Sequence, residues 1–271
     1  MKPSDSKSCS LVITTYNWPE ALDLTLRSVF AQSELPDEII VADDGSTGHT
    51  AELIESHRAK SGISLIHVWQ EDRGFRAAAS RNRAIAAASG EYIVIVDGDM
   101  ILHRDFIRDH KKFALEGTFI QGSRVLISQA NTSKRLRTRN TKVLWSEFGI
   151  ENRIHAIHVS LLAQILASIN KKLHGIRSCN MSFFKEDCVR VNGFNEDFTG
   201  WGREDSEFAV RMINSGILRR NLKFSAIAYH LWHEENKRDS LPENDLLLEK
   251  ALKEMAKFCQ NGIDKYSIGT H

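Results

Sequence analysis

The sequence predicts an α/β fold: a Rossmann-like, mostly parallel central sheet flanked by helices, with a smaller C-terminal part. Three observations predict it. Short β-branched runs alternate four times with helix-period segments over 11–96, the order that gives parallel strands joined by right-handed crossovers. The run Tyr92-Ile93-Val94-Ile95-Val96 is continuous rather than alternating, as a strand buried on both faces must be. Each strand closes in a polar corner: Thr15-Tyr16-Asn17, Asp43-Asp44, Arg73 to Arg76, and Asp97-Gly98-Asp99. In a parallel sheet such corners share one edge, where open α/β sheets bind ligands.

Taken in order, a strand over 11–15 runs into Trp18-Pro19, which opens a helix because proline is tolerated in a first turn. Leu22, Leu26, Val29 and Phe30 carry that helix to 32. Further strands are expected over 38–42, 64–69 and 92–96, with helices over 47–61, 75–89 and 105–115. A strand follows over 119–127. Residues 128–177 form a variable helical insert. It begins with the basic patch Lys134, Arg135, Arg137, Arg139 and Lys142, and continues in an amphipathic helix over 152–171 with Ile154, Ile157, Leu161, Ile165 and Ile169 near one face. Strands over 178–185 and 226–231 enclose a helix that begins near Glu204 and ends at Gly216. The tail, 241–271, holds an amphipathic helix that caps the domain or pairs with a second subunit. The organisation expected is one domain: a nucleotide-binding half (1–127), the insert, a sugar and acceptor half (178–240) and the terminal helix.

Composition narrows the function. The chain has 271 residues, 42% hydrophobic and 26% charged, with a net charge of +1; a neutral surface predicts no nucleic-acid partner. No apolar run approaches the roughly 20 residues of a membrane helix. The polar N-terminus lacks a signal-peptide core. Cys9, Cys179, Cys188 and Cys259 are scattered without a C-x-x-C pair, which predicts reduced packing residues and a cytoplasmic protein. The basic patch and amphipathic helix suit peripheral contact with an anionic membrane or an acidic acceptor.

Two acidic stretches carry the chemistry. Asp97 and Asp99 stand one residue apart at a strand's carboxyl end. They repel one another unless a cation is near, and a hard divalent ion shared with a phosphate is the natural partner. Gly98 between them lets a backbone or ligand approach closely. In the second stretch, Gly200-Trp201-Gly202-Arg203-Glu204-Asp205, Trp201 offers a flat apolar face for a sugar ring, and Glu204 and Asp205 sit where a helix begins. Acids at a helix start also serve as plain caps. His230 and His233 lie three apart beyond a strand, and one imidazole would complete a metal site begun by Asp97 and Asp99. Asp43 or Asp44 suits a base N–H, and Arg76 a base or phosphate. No G-x-G-x-x-G or Walker loop is present.

ITTYN, VADDGS, RGFRAAASRNRA and VDGDM, then CNMSFF, GFNEDFTGWGREDSEF and YHLWH, occur in this order. With them the chain resembles family 2 glycosyltransferases of the GT-A fold. Its second part resembles the carboxyl-terminal motif of β-1,4-galactosyltransferases, bacterial chondroitin polymerases and polypeptide GalNAc-transferases. The resemblance implies an inverting, metal-dependent transfer of a hexose or N-acetylhexosamine, galactose-type favoured, from a UDP-sugar. The acceptor would be a saccharide or glycolipid of surface polysaccharide or lipopolysaccharide synthesis. Thr14, Tyr16, Asn17 and Asp44 would hold uracil and ribose, with Arg76 on base or phosphate. Asp99 would bind Mn2+ or Mg2+, joined by His233 and His230, with Asp97 and Gly98 beside ribose or metal. Trp201, Gly202 and Glu204 would face the sugar, and Asp205 would be the catalytic base. One departure is plain: Arg203 stands where the family's W-G-G-E-D has its second glycine. Rival readings are a D-x-D phosphatase, a nucleotidyltransferase and a non-catalytic sugar-binding module on the same fold. The first lacks its usual downstream lysine and acidic pair. The second lacks a Gly-rich basic loop over 11–17.

Overall fold

A computed structural model describes residues 7–234 and 238–266. The first half follows the expected alternation: β1 (Cys9–Thr15), α1 (Pro19–Phe30), β2 (Glu38–Asp43), α2 (Gly48–Arg58), β3 (Ser64–Trp69), α3 (Ala77–Ala87) and β4 (Tyr92–Asp97). Strands β1 to β4 are mutually parallel in the order β3-β2-β1-β4. Every residue from Tyr92 to Val96 is fully buried. Its two faces divide as a doubly covered strand requires. Ile93 and Ile95 pack toward α3, while Tyr92, Val94 and Val96 pack toward α1 and α2.

Beyond β4 come β5 (Met100–Leu102), α4 (Phe106–Phe113), β6 (Thr118–Gln121), β7 (Ser123–Ile127), α5 (Gln129–Thr138), β8 (Ile150–Glu151), α6 (Ser160–Leu166), β9 (Ser168–Asn170), β10 (Asn180–Phe184), α7 (Lys185–Arg190), α8 (Glu204–Asn214), β11 (Leu218–Asn221), β12 (Ile227–His230) and α9 (Leu241–Lys253). Strand β10 extends the large sheet antiparallel to β4, and β6, β11 and β9 follow it. A second sheet runs β5-β12-β7-β8.

Several expectations need correction. The strand foreseen over 119–127 is two strands in different sheets. The buried Asn180 amide sits at the switch, donating to the carbonyls of Ser123 at 2.8 Å and Ala226 at 2.7 Å. No helix spans 152–171. Asn152 is left-handed, a short 3-10 turn takes Arg153–Ala156, α6 has seven residues, and 168–170 instead pairs with β11. The apolar periodicity misled because Ile154, Leu161, Ile165 and Ile169 stay 48–69% exposed. No continuous buried face holds them in one helix, and the β11 edge takes the chain as a strand. The basic patch is also less free than its sequence suggests. It lies on and after α5, and Arg135 is buried, reaching the carbonyls of Asn140 and Lys142 and the Glu147 carboxylate. Arg139 lies 3.7 Å from Asp23. Helix α9 packs against α8 as a cap and ends at Lys253. Residues 1–6 and 267–271, included in the expected N-terminal and C-terminal units, lie outside the described residues. All four cysteines are buried and unpaired.

Candidate active site

The first three corners are tied to one another. The Asn17 backbone N–H donates to Ser46 Oγ at 2.9 Å, and Asn17 Oδ1 accepts from Thr47 N at 2.9 Å. Asp44 is buried; its oxygens accept from Gln70 Nε2 at 2.5 Å and the Arg76 backbone N–H at 2.7 Å. Burial pushes the Asp44 carboxyl up, against the Arg76 and Gln70 bonds. Asp44 therefore fixes the corner that carries Arg76, whose Nη2 donates to the Glu71 carbonyl at 2.6 Å. Tyr16 is 51% exposed over this corner, its hydroxyl donating to Asp72 at 3.0 Å. Its ring is an open platform for a planar base.

Asp97 ends β4 and accepts from Thr14 Oγ1 at 2.8 Å. Gly98 is where the backbones close up: its N–H meets the Thr14 carbonyl at 2.6 Å, and a Cβ there would lie 2.8 Å from that oxygen. Only glycine fits. Immediately afterwards β5 pairs antiparallel with β12, setting Met100 opposite His230. That register explains how Asp99 meets two histidines 131 and 134 residues later. His230 Nε2 and His233 Nε2 approach Asp99 Oδ2 at 3.4 and 3.3 Å. Burial pushes Asp99 up, but the two imidazoles outweigh it and hold the carboxyl below its ordinary value. The hydrogen bond to Asp99 pushes His233 up to about 9, whereas burial lowers His230.

These three residues fit a divalent ion. Their ligand atoms lie within 4.8 Å of one another. Asp99 Oδ1 is buried without a hydrogen-bond partner, and such an orphan acceptor needs a cation or water. A donor set with two imidazoles suits manganese better than magnesium. Asp97 faces the same cleft but is held by Thr14 and lies outside this cluster. A second grouping, His103, Asp105 and His158, lies elsewhere, with His158 already bonded to Asp109 at 2.9 Å.

The Gly200–Asp205 loop comes to this cleft through a residue the sequence reading missed. Arg81 of α3 is 4% exposed; its Nη1 donates to Glu204 at 2.9 Å, and Nη2 lies 3.7 Å from Asp97. One guanidinium thus holds the two acidic motifs together. Its signal in the sequence was an arginine inside the alanine-rich run of α3, where nearly every residue is buried. Asp205 opens α8. Its Oδ2 accepts from the Ser178 backbone N–H at 3.2 Å and its Oδ1 from Ser206 Oγ at 3.2 Å. Burial, reinforced by Glu204 and opposed by Arg81, raises its carboxyl to about 7. A carboxylate poised near neutrality suits general-base chemistry.

The loop is braced from behind. Asn244 of α9, 2% exposed, donates to the carbonyls of Thr199 at 3.1 Å and Gly202 at 2.9 Å. Gly200 has φ +70°, and a Cβ there would meet Ser240 Oγ at 2.2 Å. Trp201 is 38% exposed beside the Arg238 guanidinium. Arg203 adopts φ +78° and turns outward to Asp245 of α9 at 2.6 Å. The left-handed turn thus carries a side chain that pairs with the cap helix.

Comparisons with known proteins agree with this architecture. The model of glycosyl transferase family 2 matches residues 10–181, more than half of the chain. A model described as the N-terminal domain of galactosyltransferase matches residues 163–234. Chondroitin synthase of Escherichia coli is 31% identical over 240 residues, covering 82% of this chain and 34% of that protein. Hyaluronan synthase of Pasteurella multocida is 29% identical over 237 residues, covering 82% and 24%. The chain therefore spans about a quarter to a third of these two relatives. S. aureus TarS 1-349 in complex with UDP-GlcNAc superposes with a TM-score of 0.65 at 18% identity, covering 95% of this chain and 69% of that one. Mannosyltransferase PcManGT from Pyrobaculum calidifontis, in complex with GDP-Man and Mn2+, gives 0.58 at 18%, covering 93% and 74%. The chain belongs to glycosyl transferase family 2 and has the GT-A fold.

Proposed function

We propose that this domain is an inverting, metal-dependent glycosyltransferase that moves a hexose or N-acetylhexosamine, galactose-type favoured, from a UDP-sugar to a saccharide acceptor. The observation that carries the reading is the bridge of Arg81 between Asp97 and Glu204. It joins the end of the nucleotide-side strand to the start of α8, where Asp205 follows Glu204. Tyr16, Asn17, Asp44 and Arg76 form the edge for uracil and ribose. Trp201, Gly202 and Glu204 line the sugar's side. Asp205 takes the proton of the acceptor hydroxyl while that oxygen attacks the anomeric carbon from the face opposite UDP. The bond from that carbon to the diphosphate oxygen breaks, and its electron pair leaves with UDP. Asp99, His230 and His233 would hold Mn2+ or Mg2+; when bound, the ion neutralises charge on the leaving diphosphate.

The relatives support polysaccharide synthesis as the setting, since two are a chondroitin and a hyaluronan synthase. The UDP-GlcNAc complex of TarS and the Mn2+ complex of PcManGT support the donor class and the ion. A glycolipid acceptor of surface polysaccharide or lipopolysaccharide belongs to the same reading, at the inner face of a membrane. Leu161, Ile165 and Ile169, each about half or more exposed, supply the peripheral contact. No helix among the described residues is long and apolar enough to cross a membrane. The phosphatase alternative is weaker, because the cation beside Asp97 is Arg81, already paired with Glu204. A panel of UDP-sugars, assayed for UDP release with manganese or magnesium and with and without oligosaccharide acceptors, tests the proposal. No UDP release from any donor sinks it.

A further inference from the structure

We infer that a second site on this domain binds an anionic group, a carboxylate or phosphate, carried by the acceptor. The acceptor part of this inference rests on the glycosyltransferase reading above. The site is a cavity of about 570 Å³ between β9, β11 and the 3-10 turn Arg153–Ala156. Its charged and titratable lining is Arg219, Lys172, Lys223, His155 and His174, and no carboxylate lines it.

Arg219 is the decisive residue. Four arginines of the described chain are buried: Arg81, Arg135, Arg211 and Arg219. The first three pair with Glu204, Glu147 and Glu207. Arg219, 7% exposed, has no acidic partner among the described residues. Its Nη1 donates to the carbonyls of Lys172 at 3.0 Å and His174 at 2.7 Å, and its Nη2 to Asn221 Oδ1 at 3.2 Å. Its Nε is buried with no partner. Burial, and Arg177 nearby, lower its pKa; its acceptors are neutral, and no counter-charge among the described residues offsets the cation. A guanidinium stays charged at neutral pH, and a buried charge left unpaired is costly. A protein that neutralises its other buried arginines internally leaves this one to a ligand.

The cavity's place in the sheet says what kind of ligand. Asn221 is paired with Gln121, Gln121 with Met181, and its neighbour Asn180 with Val96. The cavity therefore lies along the same sheet edge as Asp97, three strand spacings or about 14 Å away. The Arg177–Ser178 segment lies between, with Arg177 N bonded to Gln121 and Ser178 N to Asp205. An acceptor whose hydroxyl meets Asp205 can extend along this edge and set a negative group on Arg219.

The test uses the whole chain. Inorganic phosphate and glucuronate are titrated without donor, followed by calorimetry and by the NMR titration of His155. Wild type should bind, with the His155 pKa rising. Lys172→Ala with Lys223→Ala should weaken binding at least tenfold while the fold stays intact, because both side chains are exposed. Arg219→Gln should abolish binding, and Arg219→Lys should retain part of it. With oligosaccharide acceptors, the double variant should raise KM at least tenfold for anionic acceptors only, leaving donor hydrolysis unchanged. Absence of anion binding by wild type overturns the site. Anion binding with equal KM changes for neutral and anionic acceptors overturns its acceptor role. Anion binding lost in the variants, in a protein that hydrolyses no donor, upholds the site and refutes the transferase reading instead.

Discussion

Replacing Arg81 with methionine is the sharpest probe of how the two acidic motifs are joined. The substitution keeps much of the stem and removes the guanidinium. Glu204 at 2.9 Å and Asp97 at 3.7 Å then lose their shared cation. Arg81 is 4% exposed and Glu204 8%, so solvent screens the interaction poorly. Breaking a buried pair in this way costs about 3–5 kcal/mol. At roughly 2–4 °C per kcal/mol for a chain of this size, the midpoint falls by about 10 °C. The sign with pH follows from linkage. Burial raises the carboxyls of Asp97 and Asp205 and Arg81 opposes that rise in both, so its loss raises them further in the folded state. The folded variant then holds protons that the unfolded chain has released, and its stability falls as pH rises through those values. Urea unfolding of wild type and variant at pH 5 and pH 8 should show a deficit several-fold larger at pH 8. Equal deficits at both pH values, or one below about 1 kcal/mol at pH 8, would refute the bridge.

Four other predictions concern the cleft and the loop beside it. Asp205→Asn should keep UDP-sugar binding and lose about 10²–10⁴-fold in kcat; near-normal transfer removes Asp205 as base. In wild type kcat/KM should rise with pH through about 7, because Asp205 must lose its proton to accept another; a flat profile over pH 6–8 contradicts this. Asp99→Ala should abolish manganese binding measured by calorimetry, with His230→Ala and His233→Ala each weakening it, and an unchanged titration in all three refutes the cluster. Arg203→Gly should leave stability unchanged or raise it by up to about 2 kcal/mol. The glycine relieves a left-handed φ worth about 1–2 kcal/mol, against an exposed pair with Asp245 worth about 0.2–1 kcal/mol. Thermal melts of Arg203→Gly and Asp245→Ala would show whether the pair outweighs the backbone.

What was legible in the sequence divides by how far each residue's reason lies along the chain. The first four strands and their helices could be read because their signals are local: β-branched runs, a proline at a helix start, polar corners. The motifs could be read as well, since Asp97-Gly98-Asp99 and Glu204-Asp205 carry their chemistry in adjacent residues. Their connection could not. Arg81 looks like one more helix-former until α8, more than a hundred residues later, presents Glu204 to it. Asn180 looks like part of an ordinary strand until Ser123 and Ala226 from two other segments need its amide. Asn244 looks like a surface residue of a terminal helix, yet it holds the carbonyls that shape the Gly200–Arg203 turn. Over 152–171 the failure has the opposite cause. A strong local periodicity was present, but no surface answered it, and the open edge of β11 offered backbone hydrogen bonds instead. Local pattern therefore locates the candidate site groups of this fold, while single buried polar side chains set their mutual distances. Substitutions at those side chains should alter activity while every candidate base-, sugar- and metal-binding residue stays in place.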